Sequence, residues 1–130
     1  MDPLETAAPI RSARDALANV STAIIKPETI SDADMQALGP DRGECTFRLT
    51  EVSFPVLVYG EGTGAIIKLN GSLIPLRATG PGEFASGDLR VNIRMLESQG
   101  GAGLHAMEMV VIPPGAEDEL GYHGFRHCAA

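Results

Sequence analysis

The sequence predicts a mainly β fold, an eight-stranded antiparallel small barrel or sandwich preceded by two short N-terminal helices, on three observations. Residues 65–76 read AIIKLNGSLIPL, two apolar runs joined by Asn-Gly, the dipeptide that best tolerates the positive φ angles of a two-residue hairpin turn. In LRVNIRM, Leu89, Val91, Ile93 and Met95 point one way while Arg90, Asn92 and Arg94 point the other, which is the pattern of a half-buried strand. Beyond Gly43 the texture turns to short β-branched runs punctuated by Gly and Pro, and such regular punctuation marks an antiparallel meander closed into a barrel or folded into a sandwich.

Taken in order, residues 1–8 (MDPLETAA) carry no periodic pattern and read as a flexible tether. From Pro9, the apolar positions Ile10, Ala13, Leu17, Val20 and Ile24 recur at steps of three and four, predicting a first helix that Pro27 stops. Ser31 is the expected N-cap of a second helix, with Asp34 closing a capping box and Ile30 and Met35 placed as a hydrophobic staple; Gly39-Pro40 ends it. The helical segment, 9–40, is expected to pack on or beside the sheet of a β domain over 41–130, the whole forming one domain. Strands are predicted over 44–51, 55–59, 64–70, 72–78, 82–86, 88–95, 104–112 and 118–128. Ala65, Ile67 and Leu69 share the interior face, with Lys68 outside. The run MEMVVI is apolar on both faces and asks for cover on its outer side, with the first helix as the candidate. Ser98 to Gly103 is the most flexible loop by composition.

Composition excludes several classes. Seventeen acidic against ten basic residues give a net charge of −7, which repels a phosphate backbone, so nucleic acid is not an expected partner. Only 5% of residues are aromatic and none is Trp, leaving little for a stacking platform. No apolar run approaches the roughly 18–20 residues of a membrane helix. Met1-Asp2-Pro3 begins no export signal, so either the protein has none or a targeting peptide or lipid anchor lies outside this chain.

Cys45 opens the strand-rich region and Cys128 nearly closes it. That placement suits a bridge between first and last strands and a periplasmic or cell-envelope location, with two buried thiols as the alternative.

Catalytic chemistry finds little footing. His123 and His127 share a strand face, and His105 and Glu108 lie on a strand that could adjoin it, but H-x-x-x-H on a strand spreads its rings by about 13 Å, so no metal site is expected. Cys128 and His127, as sequence neighbours on a strand, face opposite ways and make no nucleophile pair. The glycine-rich stretches 60–64 and 80–82 lack the Lys-Ser/Thr of a phosphate loop and read as hairpin turns. No serine sits in a G-x-S-x-G elbow, and Glu117, Asp118 and Glu119 read as a solvated turn. No catalytic residue, cofactor or enzymatic activity is predicted. Arg90 and Arg94 form a candidate recognition stripe.

The segment from Cys45 to Cys128 resembles the C-type lysozyme inhibitor lipoproteins of bacterial envelopes. The likeness is carried by the cysteine bracket, by Val56-Leu57-Val58-Tyr59 running into AIIKLNGSLIPL, and by Ser86-Gly87. In that family an S-G-x-x-Y loop enters the lysozyme cleft; Ser86 and Gly87 match its start and Arg90 stands where the tyrosine would be. The resemblance implies a basic, lysozyme-like protein partner, met through Ser86 and Gly87, with Arg90 and Arg94 of the polar strand face as further candidate contacts. The chain as a whole also has the look of uncharacterised Gram-negative envelope proteins. The reading is therefore a non-enzymatic envelope binding protein, with a small apolar ligand carrier as the alternative.

Overall fold

A computed structural model describes residues 7–18, 20–21, 24–39, 43–60, 63–99, 105–115 and 119–128. Among them, eight strands run β1 (Cys45–Arg48), β2 (Leu57–Gly60), β3 (Gly64–Leu69), β4 (Ser72–Gly80), β5 (Glu83–Ser86), β6 (Leu89–Gln99), β7 (His105–Ile112) and β8 (Leu120–Cys128). Each pairs antiparallel with the next, and β1 pairs with β8, so the sheet closes into a barrel in sequence order. Closure removes the free edges that an open meander would present. It decides for the barrel over the sandwich.

The β3–β4 hairpin turns at Asn70 (φ 46°) and Gly71 (φ 81°), with Leu69 opposite Ser72. Two successive positive φ angles are the type I′ geometry that matches the right-handed twist of the flanking strands. The hairpin outruns its neighbours: β2 begins only at Leu57, opposite Ile67, and β5 ends near the middle of β4. The exposed strand edges are covered by the N-terminal segment. Leu73 N–H donates to Pro9 O (2.8 Å) and Arg11 N–H to Leu73 O (2.9 Å) on the β4 edge. On the β3 edge, Glu28 N–H donates to Lys68 O (2.9 Å), while the Asn70 side chain accepts from Lys26 N–H and donates to Ile24 O.

This strapping explains the main departure from expectation. The predicted first helix reduces to α1 (Ala13–Ala16), capped by Ser12. Ala13 and Leu17 of the apolar stripe are buried and Val20 packs against the core, but Ile10 and Ile24 are 54% and 61% exposed. Pro9 to Arg11 are extended because the unpaired N–H and C=O of Leu73 recruit them into a parallel bridge. Nor does the helix cover β7: it packs near β4 and its first N–H donates to the Ser86 hydroxyl. The outward Val110 and Ile112 are half-buried without it. The predicted tether lies outside the described residues up to residue 6, and Ala8 is held by a hydrogen bond to Asp34.

The second helix is α2 (Asp32–Leu38), with the capping box complete: Ser31 Oγ accepts from Asp34 N–H, and the Asp34 carboxylate accepts from Ser31 N–H. Ile30 and Met35 pack with Val58, Ile66 and Leu73, the outward residues of β2, β3 and β4. Inside the barrel, Phe47, Leu57, Ile67, Leu69, Ile74, Leu89, Val91, Met109 and Val111 are completely buried. Ala13, Leu17 and Ile25 join this core from the strap, sealing the barrel end that carries the β3–β4 and β5–β6 turns. Ile93 is only half-buried and Met95 is 41% exposed, as β6 runs four residues past its predicted end.

Asp34 is fully buried and its carboxylate also meets Lys68 Nζ at 2.6 Å. Burial opposes its charge, but the hydrogen bonds from Lys68, Ala8 N–H and Ser31 prevail and hold its pKa below the ordinary value. Asp34→Ala leaves a mostly buried ammonium unpaired and is expected to cost about 3–5 kcal/mol, with Asp34→Ala/Lys68→Met costing less than Asp34→Ala alone in urea unfolding. Because the folded carboxyl binds its proton less tightly than the unfolded one, its stabilisation is complete above about pH 4 and is lost as pH falls through the lowered folded value. The stability gap between wild type and Asp34→Asn should therefore narrow in acid.

A second expectation concerns Gly124 of β8. A Cβ there would overlap the Arg48 carbonyl and lie 2.9 Å from the Phe47 ring. Gly124→Ala should destabilise by about 1–3 kcal/mol, the usual cost of overpacking a filled core, measured by the same unfolding experiment.

Candidate functional site

The barrel end opposite the strap carries the β2–β3 and β4–β5 turns, the start of β1 and the end of β8. Strand alternation aims Tyr59, Ala78, Phe84 and Ile93 inward here. β2 and β4 end in glycine at this rim, and glycine puts no side chain into the mouth. Gly80-Pro81-Gly82 turns the chain at the rim, Gly82 has φ 69°, and its carbonyl accepts from Ile93 N–H at 2.8 Å. A Cβ at Gly82 would sit 2.7 Å from Ile93 O, so the close approach of turn and β6 requires glycine twice over. The register shift between Ala78 and Gly80 is a bulge that splays the end of β4.

The result is a cup of about 390 Å³ lined by Tyr59, Ala78, Gly80, Pro81, Gly82, Phe84 and Ile93. The Tyr59 and Phe84 rings meet with centroids 5.9 Å apart and planes tilted by 57°, an aromatic contact that fixes both side chains. Phe47, Leu57 and Met107, all essentially inaccessible to solvent, keep the cup from becoming a tunnel. Among the described residues, its lining holds no carboxylate, imidazole, thiol, amine or aliphatic hydroxyl. What it offers is contact area for an apolar molecule, with a phenol as the polar handle.

The predicted residues fall elsewhere. Cys45 and Cys128 are directly opposed on β1 and β8 and joined by a disulfide, closing the seam beside the cup's rim. Ser86 ends β5 at the strapped end, where its hydroxyl accepts from Ala13 N–H (3.2 Å). Gly87, at φ 57°, makes the β5–β6 turn with Asp88. Arg90 and Arg94 both project outward from β6 but part company. Arg94 Nε donates to Glu108 Oε1 (2.8 Å), whose other oxygen lies 3.2 Å from His123 Nε2. Arg94 first, then His123, hold the Glu108 pKa below its usual value. Arg90 makes no such pair among the described residues.

His123 and His127 share the outer face of β8, whereas His105 lies opposite Arg126 on the inner face of β7. Among the described residues no three His, Cys, Asp or Glu side chains gather where they could hold a metal ion. Glu117 and Asp118 lie outside the described residues, as do residues 100–103 of the predicted loop.

Sequence reasoning missed the cup. Its signal was present as inward-facing Tyr59, Phe84 and Ile93 set beside Gly60, Gly80 and Gly82, but a vacancy at a barrel mouth leaves no residue pattern of its own.

Fold and site together define a closed antiparallel β-barrel, strapped at one end and cupped at the other. The chain belongs to the family described as Domain of unknown function (DUF6692), whose family model matches residues 1–130. No curated protein and no solved structure matches it.

Proposed function

We propose that this protein is a non-enzymatic binding barrel of an oxidising compartment, the periplasm or cell envelope, and that it takes up a small apolar molecule in its open end. The observation that carries the reading is the cup itself: about 390 Å³ of concave, aromatic-walled space at the mouth of a barrel whose remaining interior is filled, within the usual size range of small-ligand sites, about 300–1,000 Å³. The compartment rests on Cys45–Cys128, a bridge of the kind that reducing cytosol does not maintain. The protein-inhibitor reading draws less support, because Ser86 is already bonded to the strap.

Titration of the oxidised protein with an environment-sensitive naphthylamine dye, and native mass spectrometry with medium-chain alcohols, test the proposal. One-to-one saturable binding is expected. Ala78→Trp and Ile93→Trp, which fill the cup from different strands, should each weaken it by about tenfold or more, equivalent to about 1.4 kcal/mol. Absence of saturable binding by wild type, or unchanged binding in both folded variants, would overturn it.

A further inference from the structure

The three strands that line one side of the cup carry a different surface on their outer face. Arg77 of β4, Ala85 of β5 and Arg90 of β6 are successive cross-strand partners, all pointing outward. With strands about 4.8 Å apart, the two arginine Cα atoms stand about 10 Å from each other across a single methyl group. Both side chains line a groove of about 570 Å³, together with Thr79, Glu83, Ala85 and Asp88. Ala85 faces outward yet is only 6% exposed, so it forms a covered floor between the two long side chains.

The cations elsewhere on the barrel's outer face are engaged. Lys68 is paired with Asp34 and Arg94 with Glu108, and Arg48 Nε donates to Thr46 Oγ1. Among the described residues, neither the Arg77 nor the Arg90 guanidinium makes a hydrogen bond or ion pair. Among the described residues, two neighbouring guanidiniums thus stand without a carboxylate within ion-pair distance, in a chain of net charge −7. Among the described residues, the carboxylates lining the groove are set to its ends. Glu83 folds over the rim glycine, its Oε2 3.0 Å from where a Cβ of Gly80 would lie, and Asp88 belongs to the β5–β6 turn at the other end.

We propose that this groove is a second site, binding a compact tetrahedral oxyanion, the phosphate or sulfate group of a small molecule, between Arg77 and Arg90. Each guanidinium presents a planar fork of donors matched to such a group, and Thr79, two residues from Arg77 on the same strand, adds a hydroxyl. A bound anion relieves the repulsion between the arginines across Ala85. The flanking carboxylates favour one compact anionic group over an extended polyanion, in keeping with the net charge of −7. The site lies on the opposite face of the wall from the cup and is independent of what the cup holds.

Amide NMR titrations with inorganic phosphate, sulfate and acetate, each against sodium chloride at matched ionic strength, test the site. Saturable shifts confined to β4, β5 and β6 are expected with phosphate, sulfate or both, and the stronger of the two names the oxyanion; acetate should bind more weakly. Arg77→Gln and Arg90→Gln should each weaken binding by about tenfold. Arg94→Gln, on the same strand but paired with Glu108, should leave it unchanged. Shifts that never saturate, an equal response to chloride, wild-type binding in both groove variants, or an equal loss in Arg94→Gln would each overturn the proposal.

Discussion

The structure depends on a carboxylate that has no access to water. Asp34 accepts from Ser31 N–H at the start of its own helix, from Ala8 N–H in the first described stretch, and from Lys68 Nζ on the barrel wall. A charge so buried survives only when nearly all of its acceptor capacity is used. The three donors come from three parts of the chain, so satisfying Asp34 requires the strap, α2 and β3 to assemble together. Lys68 is the complementary case. Strand alternation puts it on the outside, and α2 then covers it, so its ammonium has little water to fall back on.

Asp34 also organises the barrel's edges. The β3–β4 hairpin extends beyond both neighbouring strands, and its extra length presents backbone groups that β2 and β5 do not reach. Holding Ala8 sets Pro9 to Arg11 along β4, and holding Ser31 sets Lys26 to Glu28 along β3. Across the barrel, the Cys45–Cys128 bridge secures the β1–β8 seam and closes a long loop, a constraint on the unfolded chain of about 4–5 kcal/mol in the chain-entropy description. One device locks the seam covalently; the other locks the overhanging hairpin by hydrogen bonds and one buried charge.

These devices differ in how far the sequence disclosed them. Interactions spanning a few residues were legible: Asn70-Gly71 gave the turn, Ser31 and Asp34 the capping box, and alternation the faces of β3 and most of β6. Ile10 to Ile24 misled because a three- and four-residue apolar spacing serves an extended strap that dips into the core at Ala13, Leu17 and Ile25 as well as it serves a helix. What decided between them was the open edge at Leu73, more than sixty residues away in sequence. The same separation hid the groove: Arg77 and Arg90 are thirteen residues apart and become neighbours only through the β4–β5–β6 register.

That register gives one wall two chemistries. Along β4, β5 and β6 the inward positions Ala78, Phe84 and Ile93 line the cup, while the alternating outward positions Arg77, Ala85 and Arg90 form the cationic groove. A period of two places each set without disturbing the other, but both rest on the same backbone. The glycines at the β4–β5 turn serve each face: Gly82 lets β6 approach the turn and shape the cup, and Gly80 leaves room for Glu83 to fold back over the rim. The strap supports neither set directly. It fills the far end of the barrel, whereas at the cupped end the inward side chains leave a space open between them, and a barrel that was packed equally at both ends would offer an apolar molecule no place to enter.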